Sequence, residues 1–144
     1  MTDHTPTLLF VCVKNGGKSQ MAAALARHFG GDAVDVHSAG TQPGSKLNQE
    51  SADSVAELGA TFDGEYPKGL DPELLARADR VVVVGTEAQV EPVDGMKAAV
   101  EVWDTDEPSL RGIDGEERMR LIRDELKERV LAILAELGVE PVSR

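Results

Sequence analysis

The residues best suited to chemistry stand in one short segment, Cys12-Val-Lys-Asn-Gly-Gly-Lys-Ser19, whose first residue is the only cysteine of the chain. Gly16 and Gly17 allow a tight turn that aims backbone N–H groups inward, and a helix beginning directly after the segment would add its positive dipole end. A loop of this kind binds a tetrahedral oxyanion. Beneath such a loop and beside Lys18, we expect the Cys12 thiol to be ionised near neutral pH. The segment therefore predicts an anion held directly over a nucleophile.

Two loop patterns share this outline and differ in what their first residue does. The nucleotide-binding P-loop ends in Gly-Lys-Ser or Gly-Lys-Thr, as Gly17-Lys18-Ser19 does, but it needs a glycine at the position of Cys12. A side chain there would crowd the turn between strand and loop. The Cys-x5-Arg-Ser loop of cysteine phosphatases needs a nucleophile at that position. Every spacing fits this second pattern, with Lys18 in place of the arginine.

Strands and helices alternate along the chain and place this segment at the end of the first strand. Short apolar, β-branched runs predict four strands, over residues 7–13, 34–38, 80–85 and 98–103. Helix formers, caps and glycine stops predict helices over residues 19–29, 48–58 and 72–78 and a last helix between Asp114 and Gly138. The alternation indicates right-handed crossovers. The predicted fold is α/β, a three-layer sandwich in which helices flank a small four-stranded parallel sheet.

Capping residues and an apolar face define two of these helices more closely. Asn48 is expected to cap the second helix, which Gly59 would end. Asp114 and Glu117 are expected to form a capping box at the start of the last helix. The apolar face of that helix repeats at steps of three and four through Met119, Ile122, Leu126, Val130, Ile133 and Leu137.

Composition excludes several classes of protein. The 144 residues weigh 15.4 kDa, the size of one domain, which we expect to span residues 1–144. With 15 basic and 26 acidic side chains, the net charge of -11 repels nucleic acid and anionic lipid, so neither is an expected partner. No apolar stretch could span a membrane and the chain begins without a basic leader, so a cytoplasmic location is expected. One cysteine and three histidines without ligand spacing predict no metal site and no internal disulfide.

The loop and its flanks resemble a known family. The run from Cys12 to Ala22 closely resembles the loop and first helix of arsenate reductases built on the low-molecular-weight protein tyrosine phosphatase fold. Ser38-Ala-Gly-Thr41, Asp71-Pro and Trp103-Asp-Thr-Asp-Glu-Pro108 follow in family order, so the resemblance covers about residues 7–137. Within the family, a loop with Asn-Gly-Gly-Lys-Ser in a chain with one cysteine looks most like the actinobacterial arsenate-mycothiol transferases.

The resemblance implies a role for each residue of the loop. Cys12 would attack arsenic, Ser19 would donate a hydrogen bond to the thiolate, and Asn15 would shape the loop. Lys18 stands where the family has its arginine, and it supplies a point charge in place of a planar fork. The oxyanion would be bound by consecutive residues, namely Val13, Lys14, Asn15, Gly16, Gly17, Lys18 and Ser19.

The family also implies a general acid in the loop over residues 104–115. In the family, this acid is an aspartate directly before a proline. Here Glu107 holds that place and Asp106 precedes it, so the sequence leaves the choice between these two carboxyl groups open. Either could protonate the leaving oxygen if the loop delivers it to the site.

The missing second cysteine implies an external reductant. Thioredoxin-coupled members of the family carry resolving cysteines after the third strand, where this chain has Val84-Gly85-Thr86. The adduct would therefore pass to a small thiol, either mycothiol acting with mycoredoxin or glutathione acting with glutaredoxin. No tightly bound cofactor is expected.

The sequence leaves other functions open on the same loop. Hydrolysis of phosphomonoesters would use the same nucleophile, although Ser109-Leu110 replaces the aromatic residues that stack on phosphotyrosine in the phosphatases. A catalytically silent oxyanion-binding protein would have kept the fold after losing the arginine. A nucleotide kinase would require the P-loop interpretation, and tight binding of ATP with magnesium would favour it.

Overall fold

A four-stranded parallel sheet forms the centre of the computed structural model, which describes residues 4–141. Its strands are β1 (Thr7–Cys12), β2 (Asp35–Gly40), β3 (Arg80–Val84) and β4 (Val100–Trp103), in the spatial order β2-β1-β3-β4. Every neighbouring pair is parallel. Parallel strands that are buried on both faces have continuous apolar sequences, and such runs in this sequence predict the strands. The predicted α/β class is confirmed.

Helices cover both faces of this sheet. Over the described residues they are α1 (Lys18–Gly30), α2 (Gln49–Ala56), α3 (Pro72–Arg77) and α4 (Gly115–Glu136), with short 3-10 turns at Gly31–Ala33 and Pro108–Arg111. Side chains of β1 alternate between the two faces. Leu8 and Phe10 join the core formed with α1 and α4, whereas Leu9 and Val11 join the core that includes Leu75 of α3. The three-layer sandwich is therefore confirmed.

Helix α4 confirms its predicted apolar face but begins differently. Its predicted inward positions are buried or pack against the core: Met119, Ile122, Leu126, Val130, Ile133 and Leu137. Asp114 stands at the N-cap, but its side chain accepts no cap hydrogen bond, so the predicted capping box with Glu117 is wrong. Gly115, the first residue of the helix, has a φ of 64° and turns the chain after Asp114. Asp114 instead accepts the N–H of Arg118 through its backbone carbonyl, at 3.4 Å.

The ends of the other elements fall close to their predicted positions. Asn48 caps α2 as predicted, because its Oδ1 accepts the N–H of Ser51 at 2.8 Å. The helix ends at Ala56, before the predicted residue 58, and the chain turns at Gly59, whose φ is 92°. β2 continues past the predicted residue 38 to Gly40, because Gly40 pairs with Cys12 in the sheet. Each shift is small and leaves the predicted order of elements intact.

The carboxyl ends of β1 and β2 lie side by side. Cys12, the last residue of β1, is the register partner of Gly40, the last residue of β2. The segments that follow them therefore leave the sheet together at its carboxyl edge, where open parallel sheets bind ligands. Residues 104–107 follow β4 and leave the sheet at the same edge.

Membrane, leader and domain predictions have different outcomes. None of the helices between residues 4 and 141 has the length and apolar character that crossing a bilayer requires. The prediction about the leader rests partly on residues 1–3, which lie outside the described residues. The single domain over residues 1–144 stays a prediction.

Candidate active site

The Cys12 loop (residues 12–19) is held along one side by residues 41–48. Four of its carbonyl groups accept N–H groups of that segment: Cys12 from Thr41 at 3.0 Å, Val13 from Gln42 at 2.8 Å, Lys14 from Gly44 at 2.9 Å and Gly16 from Asn48 at 2.7 Å. In the described part of the chain, the N–H groups of Lys14, Gly16 and Gly17 have no protein acceptor. The loop thus uses its carbonyls for structure and keeps backbone donors for a ligand, which is the arrangement that binds an oxyanion.

The tight turn of the loop differs from its prediction. The left-handed residue is Asn15, with a φ of 55°, whereas neither Gly16 nor Gly17 has a positive φ. Asparagine tolerates this conformation better than most side chains. Glycine is required at two places for close approach instead. A Cβ on Gly16 would lie 3.0 Å from the carbonyl oxygen of Lys46, and a Cβ on Gly40 would lie 2.6 Å from that of Val13.

A chain of hydrogen-bonded polar groups ends on the Cys12 sulfur. The backbone N–H of Lys68 donates to Asn15 Oδ1 at 3.0 Å, which places Asn15 Nδ2 toward Ser19. Nδ2 donates to Ser19 Oγ at 2.9 Å, and Ser19 Oγ lies 2.9 Å from Cys12 Sγ. The serine hydroxyl can donate to the sulfur, and it must do so whenever the sulfur attacks as a thiolate, which has no proton of its own. The backbone N–H of Asn15 adds a second donor to Sγ at 3.2 Å. The Ser19 hydroxyl and the Asn15 N–H therefore both contact the sulfur and hold it in position.

Gln20 supports this chain, and sequence reasoning gave it no role. Its side chain is fully buried, and Nε2 donates to Asn15 at both Oδ1 (3.1 Å) and the backbone oxygen (3.2 Å). The same amide reaches the carbonyl of Tyr66 at 3.2 Å. Gln20 therefore fixes the left-handed residue of the loop from within α1. In the sequence, Gln20 stands within the run from Cys12 to Ala22 that carries the family resemblance, and nothing else points to it.

Lys18 reaches the segment that follows β4. Its Nζ donates to Thr105 Oγ1 at 3.0 Å, and Lys18 is half-buried at the start of α1. The flexible lysine stem therefore has a defined endpoint, with the remaining ammonium protons available to a ligand. Sequence reasoning singled out Lys18 but missed Thr105.

The two candidate acids are each held by an arginine. Arg111 donates to both oxygens of Asp106 at 2.6 and 2.9 Å, and this guanidinium holds the pKa of Asp106 below its ordinary value. Arg118 donates to both oxygens of Glu107 at 2.7 Å and lowers the pKa of Glu107 to about 2. Both carboxyl groups are therefore ionised at neutral pH in this conformation, and an ionised carboxyl has no proton to donate.

An open cleft of about 760 Å³ is lined on one side by residues of the Cys12 loop, from Lys14 to Lys18. Its charged lining comes from Lys14 and Lys18 of the loop, from Lys46, and from Arg118 at the start of α4. Neither Asp106 nor Glu107 lines it. Within residues 4–141, no group of three or more His, Cys, Asp and Glu side chains is arranged to hold a metal ion.

Sequence comparison gives one family and many relatives. The family model described as low molecular weight phosphotyrosine protein phosphatase matches residues 7–142. An arsenate reductase of Halalkalibacterium halodurans is 31% identical over 127 residues, which cover 85% of this chain and 91% of that protein. The matched region includes the Cys12 loop and every strand described above.

Two solved structures support the same relationship. A thioredoxin-dependent arsenate reductase of Corynebacterium glutamicum superimposes with a TM-score of 0.78 at 26% identity, over 96% of this chain. This chain spans only 64% of that protein's length. An arsenate reductase of Archaeoglobus fulgidus superimposes with a TM-score of 0.71 at 28% identity, over 89% of this chain and 98% of the other.

Proposed function

The chain belongs to the low molecular weight phosphotyrosine protein phosphatase family, and we propose that it is an arsenate reductase that depends on an external thiol. One observation carries the proposal. The Cys12 sulfur accepts the N–H of Asn15 and contacts the Ser19 hydroxyl, in a loop with unused backbone N–H groups and in a chain without a second cysteine. The relatives named arsenate reductases support arsenate as the oxyanion.

Arsenate would be bound by the Cys12 loop alone. A net charge of -11 repels anions at a distance, so binding must come from donors in contact with the substrate. Those donors are the loop N–H groups over residues 13–19 and the ammonium of Lys18, which Thr105 holds in place. The family's arginine can donate to two oxygens of the oxyanion at once. Lysine supplies a point charge instead, so it cannot make this paired contact.

The first chemical step would be attack by the Cys12 thiolate on As(V). A sulfur–arsenic bond forms, one arsenic–oxygen bond breaks, and the leaving hydroxyl takes a proton and departs as water. Asp106 or Glu107 would supply that proton only after separating from its arginine, because each is ionised while paired. The loop N–H groups and Lys18 would stabilise the negative charge that builds up on the arsenate oxygens in the transition state.

The second part of the cycle would use thiols from outside the chain. The thiolate of a small thiol attacks arsenic, the bond to Cys12 breaks, and Cys12 leaves as a thiolate. Arsenic is still As(V) in this adduct. A redoxin thiolate then attacks the sulfur of the small thiol, a disulfide forms, and the electron pair of the sulfur–arsenic bond stays on arsenic, which departs as arsenite, As(III).

Mycothiol with mycoredoxin, or glutathione with glutaredoxin, would serve as this pair. A cytoplasmic location belongs to the same proposal, because that compartment keeps such thiols reduced. The neighbour from Corynebacterium glutamicum is named thioredoxin-dependent, but this chain lacks a second cysteine with which to form an internal disulfide for thioredoxin.

A coupled assay tests the proposal. Arsenate-dependent consumption of NADPH is followed with each small thiol and its redoxin and reductase. We expect turnover with at least one pair and none with Cys12→Ser. Turnover that survives this substitution, or brisk hydrolysis of an aryl phosphate without any thiol, would replace the proposal by a different reaction.

A further inference from the structure

The cleft beside the Cys12 loop is unusual in its charge. Lys14, Lys18 and Lys46 line it, and no acidic side chain does. The chain as a whole has 26 acidic residues against 15 basic ones. A cleft whose charged side chains are all cationic is therefore the opposite of what this composition produces on average.

Ion pairing separates these three lysines from every described arginine and from Lys68 and Lys97. Over residues 4–141, every arginine forms an ion pair with a carboxylate. Lys68 pairs with Glu65, and Lys97 pairs with Asp79. In the same part of the chain, Lys14, Lys18 and Lys46 form no ion pair. Cations that stay unneutralised next to one another repel, so the cleft is prepared for an anion from solution.

Arg118 contributes less charge to the cleft than its position implies. Its Nε and Nη2 both donate to the Glu107 carboxylate, at 2.7 Å each. The positive charge of the cleft that has no carboxylate partner therefore comes from its lysines. One of these, Lys46, belongs to a segment that contacts the Cys12 loop. The carbonyl oxygen of Lys46 lies 3.0 Å from the position of a Cβ on Gly16, so the backbones of the two segments touch.

The size of the cleft argues for a ligand larger than arsenate. About 760 Å³ is the volume of a site for an organic molecule of many atoms, whereas one tetrahedral oxyanion fills only the loop. The walls also carry hydrogen-bonding side chains, including Gln42, Ser45 and Asn48, with Met119 as an apolar surface. This is the lining expected for a polar, flexible molecule with amide groups and negative charge.

We infer that this cleft binds the carboxylate-bearing body of the thiol that takes arsenic from Cys12. The inference rests on the proposed function, which requires such a thiol. It selects among thiols by charge: a tripeptide thiol with two carboxylates, such as glutathione, fits the lysines, whereas mycothiol has an uncharged sugar body. Lys46 is the residue to test, because it is exposed and lies outside the Cys12 loop.

Lys46→Glu is the decisive variant and Lys127→Glu its matched control. Lys127 also forms no ion pair within residues 4–141, but it lies over the ring of Phe29 at 5.6 Å, away from the cleft. We expect Lys46→Glu to raise the KM for glutathione by about tenfold or more. Its KM for 2-mercaptoethanol, which has no carboxylate, should stay within about twofold. Lys46→Arg should restore the KM for glutathione, and Lys127→Glu should behave as the parent does.

A binding measurement separates this inference from the proposed function. S-methylglutathione cannot react, so calorimetry with it reports on the cleft even if the protein reduces no arsenate. We expect binding to the parent, loss of binding in Lys46→Glu, and loss of binding when both ligand carboxylates are esterified. Equal binding by Lys46→Glu and Lys127→Glu, or equal binding of the diester, overturns the inference. Failure of all thiols to support turnover overturns the proposed function instead.

Discussion

Lys18 Nζ donates a hydrogen bond of 3.0 Å to Oγ1 of Thr105, a residue 87 positions further along the chain. The bond joins the Cys12 loop to the segment after β4. An arginine at position 18 would be fixed by its own planar fork, but a lysine has a flexible stem and needs an external anchor. Thr105 supplies that anchor, so it is a positioning residue for the ammonium.

Replacing Thr105 should therefore weaken anion binding without removing the nucleophile. For Thr105→Val we expect the arsenate concentration that half-protects Cys12 from iodoacetamide to rise by about threefold to tenfold. Thr105→Ser keeps the hydroxyl and should retain parental protection. The alkylation rate without arsenate should be the same in all three proteins. Equal protection in the Val and Ser variants would show that the hydroxyl does not position Lys18.

Ser19→Ala should lower the reactivity of Cys12. The substitution removes one of the two donors to Sγ and interrupts the chain from Asn15. Since a hydrogen bond to a charged group contributes about 1.5–3 kcal/mol, we expect alkylation by iodoacetamide at pH 7 to slow by about tenfold or more. Thr61→Ala is the control, because that exposed hydroxyl caps a turn elsewhere. An unchanged alkylation rate in Ser19→Ala would contradict a role of the Ser19 hydroxyl in activating Cys12.

Gly40→Ala, a substitution at the end of the neighbouring strand β2, should disturb the Cys12 loop. A Cβ at this position would lie 2.6 Å from the Val13 carbonyl oxygen and 3.0 Å from Asn15, and both neighbours are held by other bonds. We expect the free energy of unfolding to fall by about 1–3 kcal/mol, with slower alkylation of Cys12. At Gly69, the matched control, a Cβ finds its nearest neighbour at 3.8 Å. Denaturant melts of both variants decide whether the close approach matters.

The ion pair of Glu107 with Arg118 should make the free energy of unfolding depend on pH in the acidic range. Arg118 lowers its pKa from 4.5 to about 2, so the folded protein holds this carboxylate ionised more strongly than the unfolded chain does. The resulting stabilisation is complete above the unfolded value and is lost as pH falls from about 4.5 toward 2. The pair is partly exposed, so the contribution is on the order of 1 kcal/mol.

Urea melts of Glu107→Gln between pH 7 and pH 3 measure this contribution. The variant should be less stable at pH 7, and the difference from the parent should shrink as pH falls through the window. Glu116→Gln is the control, because the Glu116 side chain is 88% exposed and lies 3.8 Å from Arg120. A constant difference between parent and Glu107→Gln across the range would contradict the assignment.

Local sequence patterns predicted the parts of the molecule that depend on local structure. The apolar run before Cys12 predicts a buried strand, and the spacing from Met119 to Leu137 predicts the inward face of α4. The Cys12 loop was predicted because its residues are consecutive and their chemistry is distinctive. The left-handed conformation of Asn15 could also have been predicted, since asparagine is one of the few non-glycine residues that are enriched in that conformation.

Contacts between distant segments could not be predicted in this way. Thr105 is an ordinary loop residue until the fold places it against Lys18. Glu107 lies among other acids, and nothing in that run indicates which arginine will pair with it. Gln20 is buried against the loop, although glutamine in a helix is usually exposed. Each of these roles depends on the register of elements that meet only in the folded chain.

Trp103 gives the protein an optical reporter next to its candidate active site. It is the only tryptophan, it is 6% exposed, and it precedes Thr105 by two residues. Its ring lies 5.8 Å from that of Phe10, and the guanidinium of Arg129 lies over it at 5.6 Å. The hydrogen bond between Lys18 and Thr105 connects the Cys12 loop to the segment that follows this indole, so we expect a ligand at Lys18 to change the indole's surroundings. Ligand occupancy can therefore be followed by intrinsic fluorescence, without a label and in the unmodified chain.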